Sequence, residues 1–135
     1  MILKNEDSVR AAGINTFGQL GIDSKRYLVT ANFVEVVTGH VNAVVAGGGH
    51  SLVLKQDGSV WATGRNKYGQ LGDGSRANKD IFVQVIPSCA KAVAAGAGAE
   101  HSLVVMRDGN VWGTGYNSHG QLGDGSTTGR KTFYQ

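Results

Sequence analysis

The chain has 135 residues, with 21 glycines against one proline, and 13 basic against 10 acidic side chains for a formal charge of +3. That length suffices for a buried core, the glycine excess calls for tight turns rather than a Pro-rich disordered tail, and so small a charge only hints at anionic partners. Lone Cys89 excludes an internal disulfide, and no apolar run approaches the roughly 20 residues that a membrane helix needs.

The opening, Met1-Ile2-Leu3-Lys4, lacks the basic region and long apolar stretch of a signal peptide, so a compartment inside the cell, cytoplasm or nucleus, is expected. A first turn-rich segment begins at Gly13 and carries Asn15, Gly18, Gln19, Leu20, Gly21 and Ser24. Phe33-Val34-Glu35-Val36 follows as a β-rich run. Leu52 to Lys55 reads as an apolar strand, Gln56-Asp57-Gly58 as a hairpin turn and Ser59 to Thr63 as its partner, because glycine after aspartate accepts positive φ without a Cβ clash. Ile81 to Ile86 reads as a partly exposed strand, and Lys91 to Ala95 as a small-residue strand suited to crowding near an axis. No window shows sustained helical periodicity with caps.

These elements recur. Gly64-Arg65-Asn66-Lys67-Tyr68-Gly69-Gln70-Leu71-Gly72-Asp73-Gly74-Ser75 returns as Gly115-Tyr116-Asn117-Ser118-His119-Gly120-Gln121-Leu122-Gly123-Asp124-Gly125-Ser126. The glycines at 13, 64 and 115 give a step of 51 twice, and laying 52–84 over 103–135 gives 18 identities in 33 positions. Phe33 matches Phe82 at a step of 49, a length change that belongs in a loop. Four short strands per unit of about 50 residues predict an all-β chain of propeller blades, each of four antiparallel strands. The units run 1–51, degenerate, then 52–102, full, then 103–135, partial, as one array: an incomplete propeller or a fragment of one. Repeat 1 departs from the pattern at Glu6-Asp7 in the hairpin turn, at Arg10 in place of tryptophan, and at Ile22-Asp23 in place of Asp-Gly.

Candidate chemistry reads as structure. His50-Ser51 and His101-Ser102 invite a hydrolase, but neighbours on a strand point to opposite faces, and catalysis needs one site rather than a periodic one. Gly47-Gly48-Gly49 and Gly96-Ala97-Gly98 lead into strands, so they lack the helix start of a phosphate loop. Asp73 and Asp124 are single carboxylates that fit turns, not a calcium loop, and the histidines and cysteine show no zinc spacing. His40 and His119 read as exposed loop residues. Gln70 and Gln121 are expected to bond turn backbone, Leu71 and Leu122 to anchor the loops, and Trp61 and Trp112 to serve blade packing. No cofactor, metal or enzymatic activity is expected.

Ala-Gly-x-x-His-Ser-Leu, Asp-Gly-x-Val-Trp and Gly-x-Asn-x-x-Gly-Gln-Leu-Gly together resemble the repeat of the regulator of chromosome condensation family, over essentially the whole chain. Trp61 precedes Ala62 and Trp112 precedes Gly113, which disfavours WD repeats, and Gly-Gln-Leu-Gly is not kelch chemistry. The resemblance implies a seven-bladed propeller, of which 135 residues supply about 2.6 units of 51. It also implies an alternative function, guanine nucleotide exchange on a small GTPase, as in the founding member, which docks on chromatin. A further alternative is a secreted propeller inhibitor of similar repeat.

Variable positions within the constant loop are the candidate partner surface: Arg65, Lys67 and Tyr68 against Tyr116, Ser118 and His119, with Ile14, Thr16 and Phe17 in repeat 1. Aromatic and arginine side chains there suit a protein partner, and the first reading is a non-enzymatic interaction module. Lys25, Arg26, Arg76, Lys79, Arg130 and Lys131 form a possible basic rim for acidic protein or nucleic-acid phosphate, against the plainer reading of solvated surface charge. Open blade edges also predict self-association.

Overall fold

A computed structural model describes residues 2–4 and 8–135, so the expected irregular turn at Glu6-Asp7 lies outside the described residues. The described residues are all-β and form three antiparallel sheets. Sheet one contains β1 (Ile2–Lys4), β2 (Ser8–Ile14) and β3 (Val29–Thr38) in that order. Sheet two contains β4 (Val41–Ala46), β5 (His50–Lys55), β6 (Val60–Gly64) and β7 (Lys79–Ile86). Sheet three repeats it with β8 (Ala90–Ala94), β9 (His101–Met106), β10 (Val111–Gly115) and β11 (Arg130–Tyr134).

The strands fall where the periodicity places them, within a residue or two. Their grouping is offset from the 51-residue unit: the small-residue strand β8 pairs with β9, which follows it, and not with β7. Strand register verifies the equivalences. Ala62 opposes Val83 and Gly113 opposes Tyr134, while Ala11 opposes Val34. Phe33, Phe82 and Phe133 are therefore the same position in three sheets, and Thr30, Lys79 and Arg130 are another, since each opposes the glycine at 13, 64 or 115.

Stacking explains why β5 is a continuous apolar run instead of an alternating one. Sheet two has a neighbour on each face, so His50 through Leu54 are all buried. Leu52 and Leu54 join Val60, Leu71, Ile86 and Val104 in the core towards sheet three. Val53, one residue out of phase, joins Val9 and Val41 towards sheet one, with Trp61 and Phe82 packed against them. Hairpin turns alternate between the two ends of each sheet. The long β2–β3, β6–β7 and β10–β11 loops therefore leave from one end, together with the short 47–49 and 95–100 turns.

Candidate functional site

Each long loop is built around a fully buried asparagine. The Asn66 side-chain oxygen accepts the Leu71 N–H at 3.0 Å, while its amide donates towards Asp73 Oδ1 at 2.9 Å, Ala77 O at 3.1 Å and Ser75 O at 3.2 Å. Asn117 makes the same set with Leu122, Asp124, Thr128 and Ser126, and Asn15 ties Leu20 to Ile22 and Tyr27. Carbonyls that lack a sheet partner are satisfied here from inside the loop. The glutamines fix the tip: Gln19, Gln70 and Gln121 each accept, at 2.9 Å, the backbone N–H of residue 17, 68 or 119. Sequence reasoning assigned that role to the glutamines but gave none to the asparagines, although their strict recurrence was the signal.

On this constant skeleton the variable side chains meet across sheets. The Arg65 guanidinium stacks 5.2 Å from the Phe17 ring centroid of sheet one. Tyr68 and Tyr116 meet edge to face with centroids 5.1 Å apart, and the His119 ring lies 6.0 Å beyond Tyr116. Lys67 Nζ lies 5.4 Å from the Tyr68 centroid, and Ser118 Oγ is 3.1 Å from His119 Nδ1. All six predicted positions thus lie on the two adjacent loops of sheets two and three, and Phe17 joins them from the loop of sheet one. Glu100, which the periodicity did not single out, completes the strip. Its carboxylate pairs with Arg65 through one oxygen and accepts from the Gln70 amide through the other. It stands where the preceding unit has Gly49, so its departure from the period, opposite an arginine, was the available clue.

The basic rim divides into two kinds of residue. Lys79 Nζ lies 3.1 Å from Asp73, and Arg130 reaches Asp124 through two nitrogens at 2.8 and 2.9 Å, so these two cations are satisfied within their own loops. The Asp124 carboxyl is held down at about 2 by hydrogen bonds from Ser126 and Arg130. At Asp73 burial works to raise the pKa, and the bonds from Ser75, Lys79 and Asn66 outweigh it, leaving the group below its usual value. Sheet one has Ile22 and Thr30 at the corresponding places, so anion and cation are absent together. Lys25, Arg26, Arg76 and Lys131 remain exposed to solvent.

The other candidates hold the sheets together. Ser51 Oγ donates to the Gln19 carbonyl and Ser102 Oγ to the Gln70 carbonyl, each at 2.7 Å and each from one sheet to the loop of the preceding one. Thr63 and Thr114 repeat this at 2.8 Å on the carbonyls of Gly18 and Gly69. Because the Ser102 proton is committed, His50 donates from Nε2 to Ser102 Oγ at 2.9 Å, and its buried Nδ1 is left without a partner. Burial, then the nearby His101, lower the His50 pKa to about 4. None of these four hydroxyls is free to act as a nucleophile. Among the described residues no group of three His, Cys, Asp or Glu side chains is placed to hold a metal. Among the described residues no helix is long and apolar enough to cross a membrane.

Models of the regulator of chromosome condensation (RCC1) repeat match residues 41–70, 57–105 and 91–121. The chain belongs to the RCC1 repeat family. The ultraviolet-B receptor UVR8 of Arabidopsis thaliana is 32% identical over 120 residues, covering 87% of this chain and 27% of the receptor. The secretion-regulating guanine nucleotide exchange factor of Bos taurus is 34% identical over 117 residues, covering 84% of this chain and 25% of that protein. Among solved structures, yeast RCC1 (Prp20), crystallised with Kap60, superposes with a TM-score of 0.84 at 22% identity, over 98% of this chain and 34% of that one. The RCC1 repeats here thus form part of a propeller, about a third of the solved chain in length, with the sheets stacked as blades.

Proposed function

We propose that this RCC1-repeat module is a non-enzymatic binding surface whose partner is a protein seated on the loop strip Arg65, Lys67, Tyr68, Tyr116, Ser118 and His119. The observation that carries this reading is a pair of cross-blade ring contacts, Phe17–Arg65 between the first two blades and Tyr68–Tyr116–His119 between the last two, on an otherwise constant loop skeleton. Aromatic rings and arginine bring large, stiff contact area at low entropy cost, the composition of interface hot spots. Pairing with Glu100 leaves Arg65 little net charge, which favours a partner of mixed polar and aromatic surface over a polyanion. The exposed rim cations Lys25, Arg26, Arg76 and Lys131 lie outside the strip and serve to attract an acidic partner over distance. Quantitative affinity capture tests the reading with wild type, a Tyr68→Ser/Tyr116→Ser/His119→Ser variant, and Arg107→Ser at the opposite end as control. Binding is expected to fall at least about tenfold for the triple variant and to persist in the control. Equal capture by all three overturns the assignment.

A second reading follows from the 34% identity to a guanine nucleotide exchange factor, of which this chain covers 25%. On that reading the same strip engages a small GTPase. Acceleration of nucleotide release from small GTPases supports it, and release at the blank rate ends it.

A further inference from the structure

The joint between sheets one and two departs from the joint between sheets two and three where a lysine replaces a methionine. Lys55 lies two residues beyond Val53 on the same face of β5, the face turned towards sheet one. One step of 51 along, its counterpart is Met106, and those of Trp61 and Phe82 are Trp112 and Phe133. Val36 and Val37 correspond to Val85 and Ile86 at the step of 49. In the second joint Met106 packs with Val85, Ile86 and Phe133 in the apolar core. In the first joint a lysine cannot take that seat without burying its charge, and its ammonium stands 4.9 Å from the Trp61 ring centroid. A cleft of about 210 Å³ opens there, between Val36 and Val37 of sheet one and Trp61 and Phe82 of sheet two, with Thr38 and Lys55 at its edge. The Trp61 Nε1 proton is donated to Ser59 Oγ at 3.0 Å, so the indole offers the cleft an apolar surface. Lys55 makes no salt bridge among the described residues. Asp57 feels it only at a distance, and its carboxylate accepts the Ser59 N–H instead.

We infer that this cleft binds a small aliphatic carboxylate, its chain in the seat that Met106 fills in the second joint and its head on the Lys55 ammonium. Two observations choose that ligand. The volume lies below the roughly 300 Å³ at which drug-sized sites begin, which suits one short chain. The walls are apolar and the charge at the edge is a cation, so an anionic head is matched where a neutral or cationic one is not. Lys55 ends β5 opposite to His50 and the loop strip, so the site is independent of the protein-partner reading.

Two-dimensional NMR of the indole N–H groups tests this with three probes of equal chain length: hexanoate, hexan-1-ol and hexylamine. Hexanoate is expected to shift the Trp61 signal saturably and to leave Trp112 in place. The alcohol is expected to bind about tenfold more weakly, the factor that ~1.4 kcal/mol from a charge-assisted bond represents, and the amine not at all. Lys55→Met gives the first joint the side chain of the second and is expected to abolish the shift, with the Trp112 signal reporting an intact fold. Lys55→Gln keeps the cleft open and is expected to bring hexanoate down to the affinity of the alcohol. No saturable shift at Trp61, equal binding of acid and alcohol, or binding that survives Lys55→Met overturns the proposal.

Discussion

His50 shows how a residue type that looks catalytic is held in a structural state. Its imidazole is neutral, donates through Nε2 to Ser102, and sits where a second ring proton would find no acceptor. The folded pKa of about 4 lies below the ordinary histidine value of 6.5, so between those values the unfolded chain binds a proton that the folded chain refuses. Stability is then greatest above about pH 6.5 and falls as the pH drops towards 4, by up to about 3 kcal/mol. Urea midpoints measured from pH 7 to 4.5 are expected to fall in wild type, and His50→Gln to flatten that part of the profile. An equally steep wild-type and variant profile would assign the loss to other groups. The sequence made this histidine visible by its recurrence beside serine, and strand geometry ruled out a dyad with Ser51. The partner it does have, Ser102, lies 52 residues away on the next blade, and no local pattern reveals a contact of that separation.

At the scale of elements, the joint between blades is the unit that repeats. A phenylalanine on a glycine, a serine and a threonine on loop carbonyls, and an apolar core behind them recur at both joints. Gly72 and Gly123 allow the contribution of close packing to be separated from backbone strain. Both have positive φ, 75° and 69°, so alanine strains the backbone similarly at either, but only at position 72 does the new methyl meet the Phe133 ring. Thermal or urea unfolding is expected to show Gly72→Ala less stable than Gly123→Ala by about 1–3 kcal/mol, the usual cost of overpacking. Equal losses would mean that the ring does not lie on the glycine. The strands themselves were legible because Asp-Gly turns and β-rich runs mark them locally. Their grouping into sheets was not, because a sequence period has no origin: β8 follows β7 in the chain at the same short spacing that a hairpin uses, yet pairs forward with β9.

For the whole molecule, the same joint that buries the core also sets the loops of successive blades side by side. That is why side chains 48 residues apart, Tyr68 near Tyr116 and Phe17 near Arg65, make one surface. The period alone placed the loops on one side, and the positions that vary between copies picked out the strip. Glu100 escaped notice because it breaks the period, and the pairing of Lys79 and Arg130 with aspartates escaped notice because charge counting does not show which cations are already satisfied. Nuclear Overhauser spectroscopy with ring-labelled tyrosine tests the stacking most directly. The account predicts cross-peaks between the rings of Tyr68 and Tyr116, whose centroids lie 5.1 Å apart. A folded chain with strand-typical shifts throughout and no such cross-peak would contradict it.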